Sequence, residues 1–299
     1  MTGFTDADVA DQSGKCIIVT GANTGIGFEA ARVLAGKGAR VLLACRDAGK
    51  AAEAIGRIGG GDVAHLPLDL ADLASVRAAA AIAAREPRID VLLNNAGVMF
   101  PPLTRTAQGF ELQWGVNHLG PFALTGLLLP KLAQTSGSRI VVTASLAHRR
   151  GRIQWDDLNA EKGYNRSARY SDSKLANMLH FAELDRRLRA AGSPVTALGC
   201  HPGIAATELM RHAGPFRFFT PLVGLLMNSA ATGAWPALQA ACDPGTKPGG
   251  YYGPTGMGEA KGPSGTAKRT AAAQDAALAR RLWDASVEMT GVDPGLAPG

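Results

Sequence analysis

Tyr170 and Lys174 stand four residues apart in "YSDSKLAN", at the head of a Leu/Ala-rich segment of helical length. On a helix that spacing puts both side chains on one face, a turn apart. A phenol is a weak acid near neutrality, with a reference pKa of about 10. A neighbouring ammonium favours the phenolate and brings the group toward working pH, which makes the pair a candidate proton donor and acceptor. A surface Tyr resting on a Lys stem has the same spacing, so the pair alone does not decide. Two more polar residues stand out. Ser145 closes the apolar run "SRIVVTAS" (138–145), and Asn117 sits inside "GVNHLG", among Leu and Phe. A buried amide is costly unless hydrogen-bonded, so Asn117 requires a fixed partner.

A second constellation lies near the N-terminus. "TGANTGIG" (20–27) follows the first apolar run and places glycines at 21, 25 and 27. Glycine lets a turn tighten and lets a ligand approach the backbone. A helix opening at Gly25 would present free N–H groups and its positive dipole end, a site for pyrophosphate. The spacing is G-x-x-x-G-x-G, which differs from both the G-x-G-x-x-G fingerprint and the P-loop. The second apolar run ends "ACRD". An NAD site usually carries an acid there for the ribose hydroxyl. Cys45 occupies that place, and the Arg46 guanidinium that follows can pair with a 2′-phosphate or with Asp47. Asn23 and Thr24 could add neutral bonds to the same phosphate, with no second basic residue in the glycine turn. NADP(H) is therefore the preferred cofactor and NAD(H) the second candidate. Asp69, after the third run, could accept from an adenine amino group. "NNAG" (94–97), after the fourth, could turn the chain or line a ribose.

The elements that must position these residues alternate. Short continuous apolar runs occupy 16–20, 39–45, 62–68, 89–96, 138–145 and 194–202, with helical stretches at 25–37, 47–58, 72–85, 107–135 and 169–191. Continuous apolar runs suit strands covered on both faces. The series predicts one α/β domain over 1–299: a Rossmann-type, doubly wound parallel sheet of about seven strands with helices on both faces. The seventh strand is expected near "GGYYG" (249–253) and a closing helix over 273–290. In such sheets ligands bind outside the carboxyl ends of the strands, where the glycine turn, Arg46, Asp69, "NNAG" and Ser145 stand.

Bulk properties narrow the classes. The chain has 299 residues, 46% of them apolar, which excludes wholesale disorder. The net charge of +6 is spread along the chain. Its densest knot, "HRRGR" (148–152), reads as a solvated loop rather than a nucleic-acid site. Mild basicity suits an anionic ligand. The four cysteines form no C-x-x-C pair and read as buried thiols of a reducing compartment. The N-terminal stretch has acidic clusters and no apolar core, and no run elsewhere reaches membrane-spanning length. These features predict a soluble cytoplasmic protein with no integral membrane segment. No His/Cys/Asp cluster suggests a metal.

"TGANTGIG", Asp69, "NNAG", Asn117, Ser145, "YSDSK" and "HPGIAATEL" occur in the order found in the short-chain dehydrogenases/reductases, and the chain resembles that family from about Lys15 to the closing helix. "SLAHRRGRI", "SKLAN" and "ARRLWDAS" resemble its retinol-dehydrogenase-like branch. The resemblance implies hydride transfer between a nicotinamide and an alcohol, aldehyde or ketone. Tyr170 would be the general acid/base, and Lys174 would lower its pKa and hold the nicotinamide ribose. Ser145 would bond the carbonyl oxygen, and Asn117 would hold a water passing protons to Lys174. Gly21, Gly25, Ile26 and Gly27 would line the pyrophosphate, Asp69 and Leu70 the adenine, and Asn95, Ala96 and Gly97 the adenosine side and ribose. Pro202, Gly203, Ile204 and Thr207 would meet the nicotinamide. A substrate lid is expected at about 204–245, where "GPFRFFTPLVGLLM" (214–227) is apolar, so a small lipophilic substrate is expected. No N-terminal anchor like that of animal members of the branch is expected from this sequence, which weakens the expectation of a retinoid. A non-catalytic dinucleotide-binding regulator is the alternative. A serine hydrolase is excluded, because Ser145 lacks a G-x-S-x-G setting. Family members often form homo-oligomers, and nothing in the sequence decides that state.

Overall fold

The computed structural model describes residues 3–204 and 228–298. Thr207 and the apolar stretch 214–227 therefore lie outside the described residues. Eight strands form one sheet in the order β3-β2-β1-β4-β5-β6-β7-β8. They are β1 (Cys16–Thr20), β2 (Arg40–Cys45), β3 (Val63–Pro67), β4 (Val91–Asn94), β5 (Arg139–Thr143), β6 (Thr196–Cys200), β7 (Tyr251–Gly256) and β8 (Lys261–Thr266). The first seven run parallel, and β8 returns antiparallel along β7. The sequence expectation of about seven strands stops short of β8. Its "KGPSGT" has neither apolar residues nor β-branched bulk at most positions, so no propensity announces it, and pairing with β7, with a bridge from Ser264 to Phe4, makes it a strand.

The continuous apolar runs divide residue by residue between two cores. Ile18, Leu42, Leu92 and Ile140 face one helical layer, while Ile17, Val19, Leu43 and Leu93 face the other. The first layer holds α3 (Leu73–Ala83), α5 (Gly120–Leu132), α6 (Arg166–Ala190) and α8 (Ala276–Thr290). The second holds α1 (Gly25–Gly36), α2 (Ala48–Ile58) and α7 (Ala230–Cys242). α7 falls within the expected lid range, yet it buries Ala234, Ala237 and Leu238 in the second core. Among the described residues no helix is long and apolar enough to cross a membrane.

Because β4 lies beside β1, the winding reverses between them and opens a crevice at their carboxyl ends. Thr20 and Asn95 join the two ends. Thr20 Oγ1 accepts from the Asn95 and Ala96 N–H groups at 3.0 and 2.9 Å, and Asn95 Nδ2 donates to Thr20 O at 2.9 Å.

The 107–135 stretch, read as a single helix, is interrupted. A short α4 (Leu112–Trp114) runs into a π-helical turn (Gly115–Leu119) and then α5. A Cβ at Gly120 would lie 2.6 Å from Leu70 O, so glycine is what lets this element approach the turn after β3. The π turn has Asn117 at its centre. α6 begins three residues before the expected start, because Asn165 caps it by accepting from the Ser167 and Ala168 N–H groups.

Candidate active site

A cavity of about 1010 Å³ lies along the carboxyl edge of the sheet. Of the sequence-predicted site residues, Gly21, Asn23, Thr24, Gly25, Ile26, Gly27, Arg46, Asp69, Leu70, Asn95, Ala96, Gly97, Ser145, Tyr170, Lys174, Pro202, Gly203 and Ile204 all line it. Asn117 stands behind the wall, and Thr207 lies outside the described residues.

The glycine turn is built for close approach. Gly21 has φ +66° and packs against Ala96, where a Cβ would be 3.0 Å from its Cα. A Cβ at Gly27 would lie 2.4 Å from Gly21 O and 2.5 Å from Asn95 Nδ2. Thr24, the N-cap of α1, makes no side-chain capping bond, so the first-turn N–H groups are not capped by it. Such a helix start offers an anion both hydrogen-bond donors and a favourable dipole.

At the next turn Arg46 is exposed (78%) and its Nη1 stands 3.7 Å from Asp69 Oδ2. The expected competitor, Asp47, is otherwise engaged: it caps α2 by accepting from Lys50 N at 3.0 Å. Lys50 lines the cavity one turn after Arg46. The glycine turn lacks a second basic residue, and the helix after β2 supplies one. No helical spacing announces it, because Arg46 precedes the Asp47 N-cap of α2, and Lys50 Nζ stands 4.0 Å from Asp47 Oδ2.

At the opposite end Tyr170, Lys174 and Ser145 converge. Tyr170 is buried, with its ring 5.4 Å from that of Phe100 in an edge-to-face contact. Burial holds its phenol above the ordinary range, and a hydrogen bond with Ser145 pulls the other way. Lys174 Nζ lies 5.8 Å from the Tyr170 ring centroid and donates to Thr143 O at 3.2 Å. Burial pushes its ammonium down to about 8. Desolvation dominates both groups, raising the phenol and lowering the ammonium. Gly97 separates Lys174 from Asn117. A Cβ at that position would be 3.1 Å from Asn117 Oδ1 and 3.4 Å from Lys174 Nζ.

Asn117 has the partners its burial requires. Oδ1 accepts from Val98 N at 2.7 Å, and Nδ2 donates to Val98 O at 3.0 Å and Ser173 Oγ at 2.9 Å. Both amide protons are committed, so the side chain fixes the strand-β4 loop to α6. Asn228, which the sequence reading missed, does the same for the far wall. Its Nδ2 donates to Pro202 O at 2.9 Å, and its N–H donates to Ile204 O at 2.8 Å. An amide just before a helix carries no sequence signal for such a role.

The loop from 146 to 165 is tied to α6 from below. The Arg169–Asp157 ion pair, at 2.7 Å, is almost wholly buried. Asp172 accepts from Arg152 N at 2.9 Å and Gln154 Nε2 at 2.6 Å. These contacts hold Ser145, Arg149 and Arg150 along the cavity. Among the described residues no group of three or more His, Cys, Asp or Glu could hold a metal ion.

A tyrosine and a lysine beside a serine, facing a glycine-lined helix start across one cavity, can move a proton next to a bound dinucleotide. Comparison with known proteins identifies the family. The short chain dehydrogenase family model matches residues 15–217. Human retinol dehydrogenase 11 is 44% identical over 286 residues, covering 93% of this chain and 86% of that protein. Human retinol dehydrogenase 13 is also 44% identical, over 98% of this chain and 89% of its own length. The crystal structure of an uncharacterized protein from Mycobacterium paratuberculosis superposes with a TM-score of 0.84 at 41% identity, covering 99% of this chain and all of that one. A Pseudomonas aeruginosa RhlG/NADP active-site complex aligns at 25% identity with a TM-score of 0.65, over 81% and 94% of the two chains. The chain belongs to the short-chain dehydrogenase/reductase family, in its retinol-dehydrogenase-like branch, and is an oxidoreductase acting on CH–OH donors.

Proposed function

We propose that the protein uses NADP(H) to interconvert a lipophilic alcohol and its aldehyde or ketone, with Tyr170 as the general acid/base. The observation that carries this reading is the single cavity that has Arg46 and Lys50 at one end and Ser145, Tyr170 and Lys174 at the other. Its donor set fits a dinucleotide phosphate. The uncapped start of α1 suits pyrophosphate, and two cations with Cys45 in place of an acid suit a 2′-phosphate. The bound nicotinamide supplies or accepts the hydride.

The residues of this chain supply the rest. In the reducing direction Ser145 Oγ donates a hydrogen bond to the carbonyl oxygen. Tyr170 Oη delivers its proton to that oxygen as it becomes a hydroxyl, and recovers one in the reverse direction. Lys174 stabilises the phenolate so formed. Its depressed pKa, about 8, lets it exchange a proton near neutrality. Asn117 keeps Gly97 and Val98 in place beside it. The apolar wall at Val98, Met99, Phe100 and Leu112 favours a lipophilic substrate.

The test is NADPH oxidation over aldehydes and ketones of graded chain length. Turnover that rises with chain length is expected. Tight NADPH binding with no turnover on any carbonyl would favour the regulator reading instead.

A further inference from the structure

Two buried histidines beside the site have no part in the mechanism above. His148 belongs to the turn that follows Ser145, and His201 precedes the Pro202–Ile204 wall; they are 1% and 0% exposed. Each makes one hydrogen bond that fixes its proton. His148 Nδ1 lies 2.7 Å from Ser145 O. A carbonyl only accepts, so the proton is on Nδ1 and Nε2 is bare. His201 Nδ1 accepts from Gly203 N at 3.2 Å. Its proton is therefore on Nε2, which stands 3.5 Å from Glu259 Oε2. The rings are opposite tautomers.

The Tyr251 ring, itself buried, lies between them, with its centroid 5.9 Å from that of His148 and 5.4 Å from that of His201. Among the described residues, His148 Nε2, His201 Nε2 and Tyr251 Oη have no hydrogen-bond partner. Glu259 is held firmly. It accepts from Lys268 N at 2.9 Å and pairs with Arg149 at 2.5 Å. Its backbone has φ +72°, a conformation that a non-glycine residue keeps only when its surroundings enforce it. Gly253 on β7 makes room for this arrangement, since a Cβ there would lie 2.0 Å from His201 Nε2.

We infer that His148 and His201 are positioning residues that lock the Ser145 turn and the Gly203 turn to each other through Tyr251, Arg149 and Glu259. Bonded contacts run from Ser145 to His148 and from Arg149 to Glu259, and His201 bonds Gly203; Glu259 Oε2 and His201 Nε2 meet at 3.5 Å without a hydrogen bond, with the Tyr251 ring packed between the two imidazoles. Together they span the two walls between which the carbonyl must sit. Ser145 O receives two bonds from His148, from Nδ1–H and from the backbone N–H at 3.0 Å. The Ser145 backbone is thereby fixed independently of its hydroxyl. Burial keeps both rings neutral: it lowers the His148 pKa and pushes His201 down to about 3, with the neighbouring Arg149 adding to both shifts and Glu259 opposing it at His148. A neutral ring is required, because a doubly protonated His201 could not accept from Gly203 N.

The inference rests on the reading of Ser145 as the carbonyl's hydrogen-bond donor, and two experiments keep the two separable. Nitrogen-detected histidine NMR on the wild-type protein reads tautomers without reference to turnover. His148 should show as Nδ1–H and His201 as Nε2–H, with neither titrating across the neutral range. Tautomer exchange, or titration of either ring near the ordinary histidine value, would overturn the inference even in an active enzyme. Kinetics supply the second arm. His148→Leu should lower kcat about tenfold while leaving the NADPH Kd within about twofold. His148→Asn, whose amide can donate from near the Nδ1 position, should restore most of that loss. Equal losses in both variants, or an unchanged kcat in His148→Leu, would overturn it.

Discussion

The two ends of the cavity follow different physics. At the Arg46 end the charged groups are open to water: Arg46 is 78% exposed and 3.7 Å from a half-open Asp69. Charge there acts through a screened field, which suits selecting an anionic ligand. At the Tyr170 end the polar groups are almost sealed, with Tyr170 7% and Lys174 4% exposed. Desolvation governs them, and it shifts phenol and ammonium in opposite directions. One end is suited to recognising an anion and the other to moving a proton.

The largest effect that bears on this contrast is at Tyr170. Tyr170→Phe removes only the hydroxyl, so turnover should fall by roughly 10²-fold or more, a typical acid–base contribution. Fluorescence titration should meanwhile find the NADPH affinity nearly unchanged. A variant that turns over near the wild-type rate would end the assignment.

The burial of Lys174 predicts a stability effect with a defined sign. Its folded pKa, about 8, lies below the ordinary lysine value of 10.5, so between those values the unfolded chain binds more protons. Stability should rise with pH across that window and be lost as pH falls through 8. The shift corresponds to roughly 3 kcal/mol, at about 1.4 kcal/mol per pKa unit. Denaturant melts of the wild type and Lys174→Met at several pH values test this. The difference between them should close as pH climbs from 8 to 10.5, and parallel curves would contradict it.

A smaller effect is expected at the open end. Arg46→Ala should weaken NADPH about tenfold, near 1.5 kcal/mol for a charge-assisted bond at an exposed position, and leave NADH unchanged. The loss should shrink as salt is added. Lys50→Met should act in the same direction and more weakly. If wild-type protein binds NADH as tightly as NADPH, the 2′-phosphate reading falls.

How much of this was legible beforehand differs between the two ends. Arg46, Asp69, Asn95 and the glycines sit directly after strands, where a βαβ series must place its ligand residues, and all of them line the cavity. Lys50 was not legible, because it lies inside α2 rather than directly after a strand. Tyr170, Lys174 and Ser145 were legible from spacing and resemblance, but the burial that raises the Tyr170 phenol and lowers the Lys174 ammonium was not. Spacing along a helix reports which groups are near one another, and burial comes from other elements packing over them. Asn117 was rightly expected to be bonded, while its partners Val98 and Ser173 could not be named.

The sequence by itself determined the sheet's first seven strands and most of the helices, because continuous apolar runs and alternating helical stretches are local patterns. It also determined which residue types meet at the crevice. Only the tertiary structure decided the antiparallel β8, the π turn that centres Asn117, and the Asn228 bonds that hold the Pro202–Ile204 wall. It alone fixed the tautomers of His148 and His201. Each of these depends on contacts between residues far apart in the chain, and on how much water those contacts exclude. Neither quantity is carried by any local stretch of sequence.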